Sequence, residues 1–252
     1  EIKLDFCKIN EIYNEPNIFV SDLSNSKHHQ DLAKRVQLET ENVILKLLNI
    51  LKKRFPSDNL YLSGGVALNV VANERIKKSN LFKRIILNGS VEDNGTAIGA
   101  GIAANVNMGL DRKFSIIKDY YGRLYDENEI MEAVLKFNLS YKVLPKNELF
   151  RTAAEKIKQE KIFGWFQGRS EFGPRALGNR SIFANPFSSS TKYLLDQLMK
   201  CRDRYRPYAP VVIEEQASQF FDINDSSPVM MRNVKVLDKR LIAIKHVDGT
   251  AR

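Results

Sequence analysis

Apolar residues at Leu32, Val36, Leu38, Val43, Leu45, Leu48 and Leu51 recur at helical spacing. The pattern predicts one amphipathic helix over 31–55, closed near Pro56. Leu60-Tyr61-Leu62 reads as a short buried strand, followed at once by Gly64-Gly65. An Ala/Val/Asn-rich helix then runs to about Arg75. Ile85-Ile86-Leu87 reads as a second buried strand, Asp93-Asn94-Gly95 as a turn, and Thr96 to about Met108 as a helix of small residues. Strand, Gly/Asp turn and helix therefore occur twice in the same order, which places the chain in the α/β class.

From residue 109 the pattern loosens, with Gly109, Gly122 and Pro145 among mixed charges. A domain boundary is expected near residue 115, separating 1–115 from 116–252. Beyond it the pattern predicts helices at Glu127–Phe137, Leu149–Glu160 and Thr191–Met199. Strands are expected at Ile162–Phe166, Tyr208–Ile213 and Leu241–Ile244. Phe163, Trp165 and Phe166 are expected in the core.

Composition adds a few bounds. The 252 residues fit one large or two medium domains, and 43 % hydrophobic with 27 % charged residues is ordinary for a globular protein. No apolar run approaches the ~20 residues a membrane helix needs. Cys7 and Cys201 form no spaced framework, which predicts a reducing, cytoplasmic setting. The start, Glu1-Ile2-Lys3-Leu4-Asp5, has neither a signal-peptide pattern nor an initiator Met, and predicts a fragment. The formal charge of +9 favours polyanionic partners, either phosphorylated small molecules or nucleic acid.

The densest chemistry lies in Gly168-Arg169-Ser170-Glu171-Phe172-Gly173-Pro174-Arg175-Ala176-Leu177-Gly178-Asn179-Arg180-Ser181, which holds three arginines and three glycines. A guanidinium offers a fixed donor fork that matches phosphate or carboxylate, and glycine lets backbone approach a ligand closely. The string predicts a loop for a phosphate-bearing anion. Arg202, Arg204 and Arg206 form a second basic cluster. Leu62-Ser63-Gly64-Gly65-Val66-Ala67-Leu68-Asn69 joins a strand to a helix, where N–H groups attract phosphate. It lacks the Lys of a Walker A loop and the dinucleotide-binding spacing, so a plain tight turn competes. Asp93, in Glu92-Asp93-Asn94-Gly95-Thr96-Ala97, reads as a helix cap or as a metal ligand beside a nucleotide. His28-His29 read as solvated surface, Cys201 as structural, and His246 beside Asp248-Gly249 as functional or merely polar at a strand end.

Leu62–Asn69, Glu92–Ala100, Gly164–Asn185, Arg204–Ile213 and His246–Arg252 resemble, in order, the O-carbamoyltransferases of the nodulation-protein and cephamycin/tobramycin-biosynthesis type. The resemblance implies the C-terminal half of an actin-like, threonylcarbamoyl-transferase-like domain over 1–115. It implies a YrdC-like twisted α/β domain over 116–252, truncated at its C-terminus. In the family, the YrdC-like domain makes carbamoyl-adenylate from ATP and carbamoyl phosphate. The actin-like domain then passes the carbamoyl group to a hydroxyl. By the same resemblance Gly64, Gly65 and Asn69 contact nucleotide, and Asp93 joins a divalent metal, either iron or Mg/Mn. Arg175, Arg206 and Arg252 line the carbamoyl-phosphate/ATP pocket, and Arg169 and Arg180 flank the first of them.

The acceptor is expected to be a small-molecule hydroxyl on a sugar, an antibiotic or a lipo-oligosaccharide precursor, with no membrane and no nucleic-acid partner. A homodimer stays open. The N-terminal half of the actin-like domain, with its His ligands and general base, has no counterpart here, and His28-His29 do not match it. Two alternatives compete: a tRNA threonylcarbamoyladenosine-type modification enzyme, and a non-catalytic nucleotide-binding module.

Overall fold

The computed structural model describes residues 27–110, 119–201 and 205–252. Arg202, Arg204, Cys7 and the expected boundary near 115 lie outside the described residues. The chain separates into two compact units, Glu1–Leu47 and Leu48–Arg252, so the described parts of both expected domains beyond Leu47 share one unit.

Helix α1 spans Lys27–Arg54, as the periodicity predicts, and ends in Lys52, Lys53 and Arg54, whose charges complement the negative end of the helix dipole. Of its apolar residues Leu48 is buried, while Val36, Leu38, Val43 and Leu51 are exposed.

Strand β1 (Asn59–Leu62) pairs in parallel with β2 (Arg84–Leu87), with Leu60 opposite Ile85 and Leu62 opposite Leu87. Parallel neighbours need a crossover. It is supplied by a 3₁₀ turn at Gly65–Leu68 and helix α2 at Val70–Lys78. Asn69 separates the two, and its side chain accepts the Ala72 N–H at 3.1 Å as the N-cap of α2. The strands are half-buried rather than buried. Tyr61 and Ile86 point to solvent, because an isolated two-stranded ladder covers only one face. Helix α3 runs from Asp93 to Asn107, so the expected turn at Asp93-Asn94-Gly95 is its first turn.

Helices α4 (Glu127–Lys136) and α5 (Lys146–Lys158) match their predicted spans closely. Helix α4 opens with a capping box between Asp126 and Glu129. Strands β3 (Phe163–Phe166) and β4 (Arg180–Phe183) form an antiparallel hairpin with Phe166 opposite Arg180, so the Arg/Gly string is the hairpin loop. Trp165 packs edge-on to Phe183, but Phe163 and Trp165 are only half-buried and Phe166 is 57 % exposed, so none of the three lies in the core as expected.

The remainder departs most from expectation. Helix α6 (Ser189–Leu194) passes into a π-helical turn at Leu195–Lys200. Tyr208–Ile213 forms no strand, since Pro207 and Pro210 withhold ladder donors and fix φ. Leu241–Ile244 is a turn, although Leu241, Ala243 and Ile244 are buried. Burial without alternation misled the reading there. Short strands β5 (Val234–Lys235) and β6 (Thr250–Ala251) pair instead, over a core of Phe221, Val234, Val236, Leu241, Ile244 and Ala251. A second core joins Ala67, Val91, Val229 and Met231, with Leu62, Leu87 and Leu177 packed against it. Helix α2 is clamped to this region by Asn73, whose amide donates to Ala67 O and Met231 O, and by the buried Glu74–Arg232 pair at 2.6 Å. The mixed α/β class holds. No helix among the described residues is long and apolar enough to cross a membrane.

Candidate anion site

Three turns converge around one buried carboxylate. Asp119 is fully buried. Its Oδ1 accepts the Ser90 hydroxyl, its Oδ2 accepts the Gly173 N–H at 2.9 Å, and its carbonyl accepts the Phe172 N–H at 2.7 Å. Glycine is required on both sides of it. A Cβ at Gly89 would stand 2.9 Å from the carboxylate, and one at Gly173 would overlap Oδ2 outright. Asn94, in the first turn of α3, donates to Phe172 O at 3.3 Å. Leu177 of the hairpin loop packs into the Ala67/Val91 core. The Gly64–Gly65 turn is tied in by the Gly64 N–H, which donates to Val91 O at 2.7 Å. The loop of arginines is thus seated on the turns that follow β1 and β2.

Glu171 shapes the loop from inside. Its Oε1 accepts the N–H groups of Leu177 (2.6 Å), Asn179 (2.9 Å) and Arg180 (3.4 Å). Burial pushes its pKa up, but these backbone donors outweigh burial and hold the carboxyl below its ordinary range. A charged acceptor inside the bend fixes the backbone on either side of Arg175.

Two of the arginines lack partners at one atom. The Nε of Arg175 and the Nε of Arg252 are buried without a hydrogen-bond partner, and no carboxylate pairs with either among the described residues. They are near enough to repel: burial lowers the Arg252 pKa and Arg175 lowers it further. Arg252 is positioned by Ala251, which is fully buried in the β5/β6 core. His246 lies beside Arg252. Burial pushes its pKa down and Arg252 does the same, against Asp248. Its Nε2 is also buried and unpartnered. Buried cationic donors left unpaired are costly unless an anion arrives. Donor groups of this kind match the acceptors of a compact anion.

The other expected site residues have different surroundings. Gly64, at φ +96°, and Gly65 have open space where a Cβ would be, so a ligand can approach that turn closely. Asn69 caps α2, as described above. Arg169 is exposed and donates to Gly122 O at 3.1 Å. Arg180 is engaged by the hairpin, donating to the carbonyls of Gln167 (2.7 Å), Asn179 (2.9 Å) and Gly168 (3.2 Å), with its guanidinium 3.5 Å above the Phe166 ring. Arg206 is exposed, and nothing among the described residues joins it to Arg175 or Arg252. Asp93 is exposed at the start of α3, and no group of three His, Cys, Asp or Glu converges among the described residues. Asp93 alone does not make up a metal site. His28 is exposed, as expected, whereas His29 is half-buried with its Nδ1 shut off from solvent. Cys201 is exposed, with its thiol on Gln197 O at 3.6 Å. Asp119 was missed by the sequence reading, since a lone Asp between two segments carries no periodic or spacing signal.

This is an α/β chain in which Arg175 and Arg252 each keep an unpartnered Nε. It matches the family model for the carbamoyltransferase N-terminus over residues 1–102 and that for the carbamoyltransferase C-terminus over residues 154–252. The chain belongs to the carbamoyltransferase family. It is 34 % identical over 235 residues to nodulation protein NolO of Bradyrhizobium diazoefficiens, covering 90 % of this chain and 43 % of that protein. It is 29 % identical over 217 residues to 3'-hydroxymethylcephem-O-carbamoyltransferase of Streptomyces clavuligerus, covering 85 % and 40 %. An uncharacterised protein of Methanocaldococcus jannaschii is 32 % identical over 234 residues, covering 88 % and 38 %. The chain spans less than half the length of these curated relatives.

Proposed function

We propose that this chain is part of an ATP-dependent O-carbamoyltransferase. In this reading the Arg175/Arg252 pocket binds carbamoyl phosphate and carbamoyl-adenylate forms in the 116–252 half. The 1–115 half carries the actin-like transfer surface, with Gly64, Gly65 and Asn69 beside the nucleotide. The acceptor is the hydroxyl of a small molecule. The observation that carries the reading is the pair of half-buried arginines whose Nε atoms are shut off from solvent and unpartnered, with no carboxylate on either among the described residues. ATP and carbamoyl phosphate repel one another by several kcal/mol at low dielectric, of order 332/(εr). Cations held in advance remove that barrier without reorganisation, which is the main source of catalysis in phosphoryl and nucleotidyl transfer. A metal beside the nucleotide would need ligands beyond Asp93.

The test is pyrophosphate release from ATP, with and without carbamoyl phosphate, on this chain and on R175A. Carbamoyl-phosphate-dependent release that R175A abolishes, with the circular dichroism spectrum unchanged, is the expected result. Release independent of carbamoyl phosphate or untouched by R175A overturns the reading. So does salt-sensitive tRNA binding without such release, which moves the assignment to tRNA modification.

A further inference from the structure

The turn from His246 to Thr250 fixes the state of an imidazole. Gly249 N–H donates to His246 O at 3.0 Å, and His246 N–H donates to Thr250 O at 2.8 Å, so the segment is closed on itself as it enters β6. Inside it the Thr250 hydroxyl donates to Asp248 Oδ1 at 2.6 Å. A hydroxyl has a single proton to give. With that proton committed to the carboxylate, the 3.2 Å contact between Thr250 Oγ1 and His246 Nδ1 has only one polarity: Nδ1–H donates and Oγ1 accepts. Neutral His246 is therefore the Nδ1–H tautomer, and its Nε2 carries a lone pair. That lone pair is buried and unpartnered, and Arg252, two residues beyond the Thr250 that contacts the ring, has an unpartnered Nε–H and a charge near enough to disfavour the protonated imidazole.

Two cationic donors, Arg252 and the Arg175 whose charge it feels, thus accompany one nitrogen acceptor. A fully ionised phosphate has acceptors only, and would set an oxygen lone pair against Nε2. An anion that carries its own N–H beside the phosphate satisfies both features at once.

We propose that His246 Nε2 accepts an N–H of the carbamoyl amide, making His246 the residue that separates carbamoyl phosphate from acyl phosphates lacking that group. The inference rests on the reading of this pocket as a carbamoyl-phosphate site. Sites built to hydrogen-bond one group reject the isostere without it, because a buried polar atom is left unpaired.

The experiment is calorimetric titration of this chain with carbamoyl phosphate and with acetyl phosphate, which has the same charge and a methyl in place of the amino group. Wild type is expected to prefer carbamoyl phosphate by about tenfold, the value of one buried hydrogen bond. H246A is expected to weaken carbamoyl phosphate alone and so to level the two ligands. H246Q, whose Oε1 can accept, is expected to keep part of the preference, and it serves where H246A does not fold. An equal loss for both ligands overturns the inference and leaves the phosphate site standing. A preference that survives in H246A does the same. No binding of either ligand to wild type overturns the reading on which the inference rests.

Discussion

The Asp119 carboxylate accepts the Gly173 N–H at 2.9 Å while also accepting the Ser90 hydroxyl, with no solvent reaching it. One side chain therefore joins the turn after β2 to the loop that presents Arg175, across more than eighty positions of sequence. The arginine loop is an attachment to the first half of the chain, held by that carboxylate and by Leu177 in the Ala67/Val91 core. Anion affinity and the integrity of the β1–β2 region should be coupled through it.

D119N keeps the shape but can present only one acceptor, which leaves a buried donor unsatisfied. Loss of about 1–3 kcal/mol of stability is expected, together with weaker anion binding. G173A drives a methyl into the same carboxylate, which costs about 1–3 kcal/mol as overpacking. Because both changes act on one contact, the double variant should lose less than the sum. Urea titrations of the four proteins measure this, and strict additivity would show that the contact is not shared.

Glu171 makes stability depend on pH in a definite direction. Its carboxyl is depressed below the ordinary value of 4.5 in the folded chain. The unfolded chain therefore takes up a proton first as the solution is acidified. The stabilisation is fully present above that value and is lost as pH falls through the lower folded one. E171Q should be less stable than wild type at neutral pH by about 1–3 kcal/mol. The gap should narrow steadily below pH 4.5, as urea midpoints at neutral and acid pH will show.

Much of this organisation can be read from single elements. Helix α1 and strands β1, β2 and β3 follow from periodicity and Gly punctuation, because each is decided by local pattern, whereas β4 and its pairing with β3 carried no such signal. Tyr208–Ile213 and Leu241–Ile244 were misread as strands, since an apolar run reports burial and not hydrogen-bond pairing. The resemblance grouped Arg175, Arg206 and Arg252; two of them keep unpaired Nε atoms, while Arg206 is exposed. Arg180 belongs to the same string yet is turned onto its own hairpin, a distinction that composition cannot carry. Asp119 was invisible, because its partners Ser90 and Gly173 meet it only in three dimensions.

Arg180 and Arg175 should consequently behave differently. R180K forfeits the fork that binds three carbonyls and the stacking on Phe166. The expected cost is about 1 kcal/mol in stability, with phosphate affinity changed by less than roughly twofold. Thermal melting with and without inorganic phosphate separates the two effects. A large affinity loss in R180K without loss of stability would place Arg180 at the ligand instead.

Arg252 offers the converse case. Burial and Arg175 both oppose its charge, so in the absence of ligand the native state tolerates it rather than gains from it. R252Q removes the repulsion while keeping a hydrogen-bonding amide, and the ligand-free variant should melt no lower than wild type. An anion reverses the balance, since it bridges both guanidinium groups with charge-assisted bonds. Saturating inorganic phosphate should stabilise wild type by about 2.7 kcal/mol at a hundredfold excess over its dissociation constant. The same phosphate concentration should stabilise R252Q by only about 0.4–1.4 kcal/mol, its affinity being lower by about tenfold to a hundredfold. A ligand-free R252Q that melts well below wild type would show that Arg252 supports the fold, and the anion pocket would then have to be drawn around Arg175 alone.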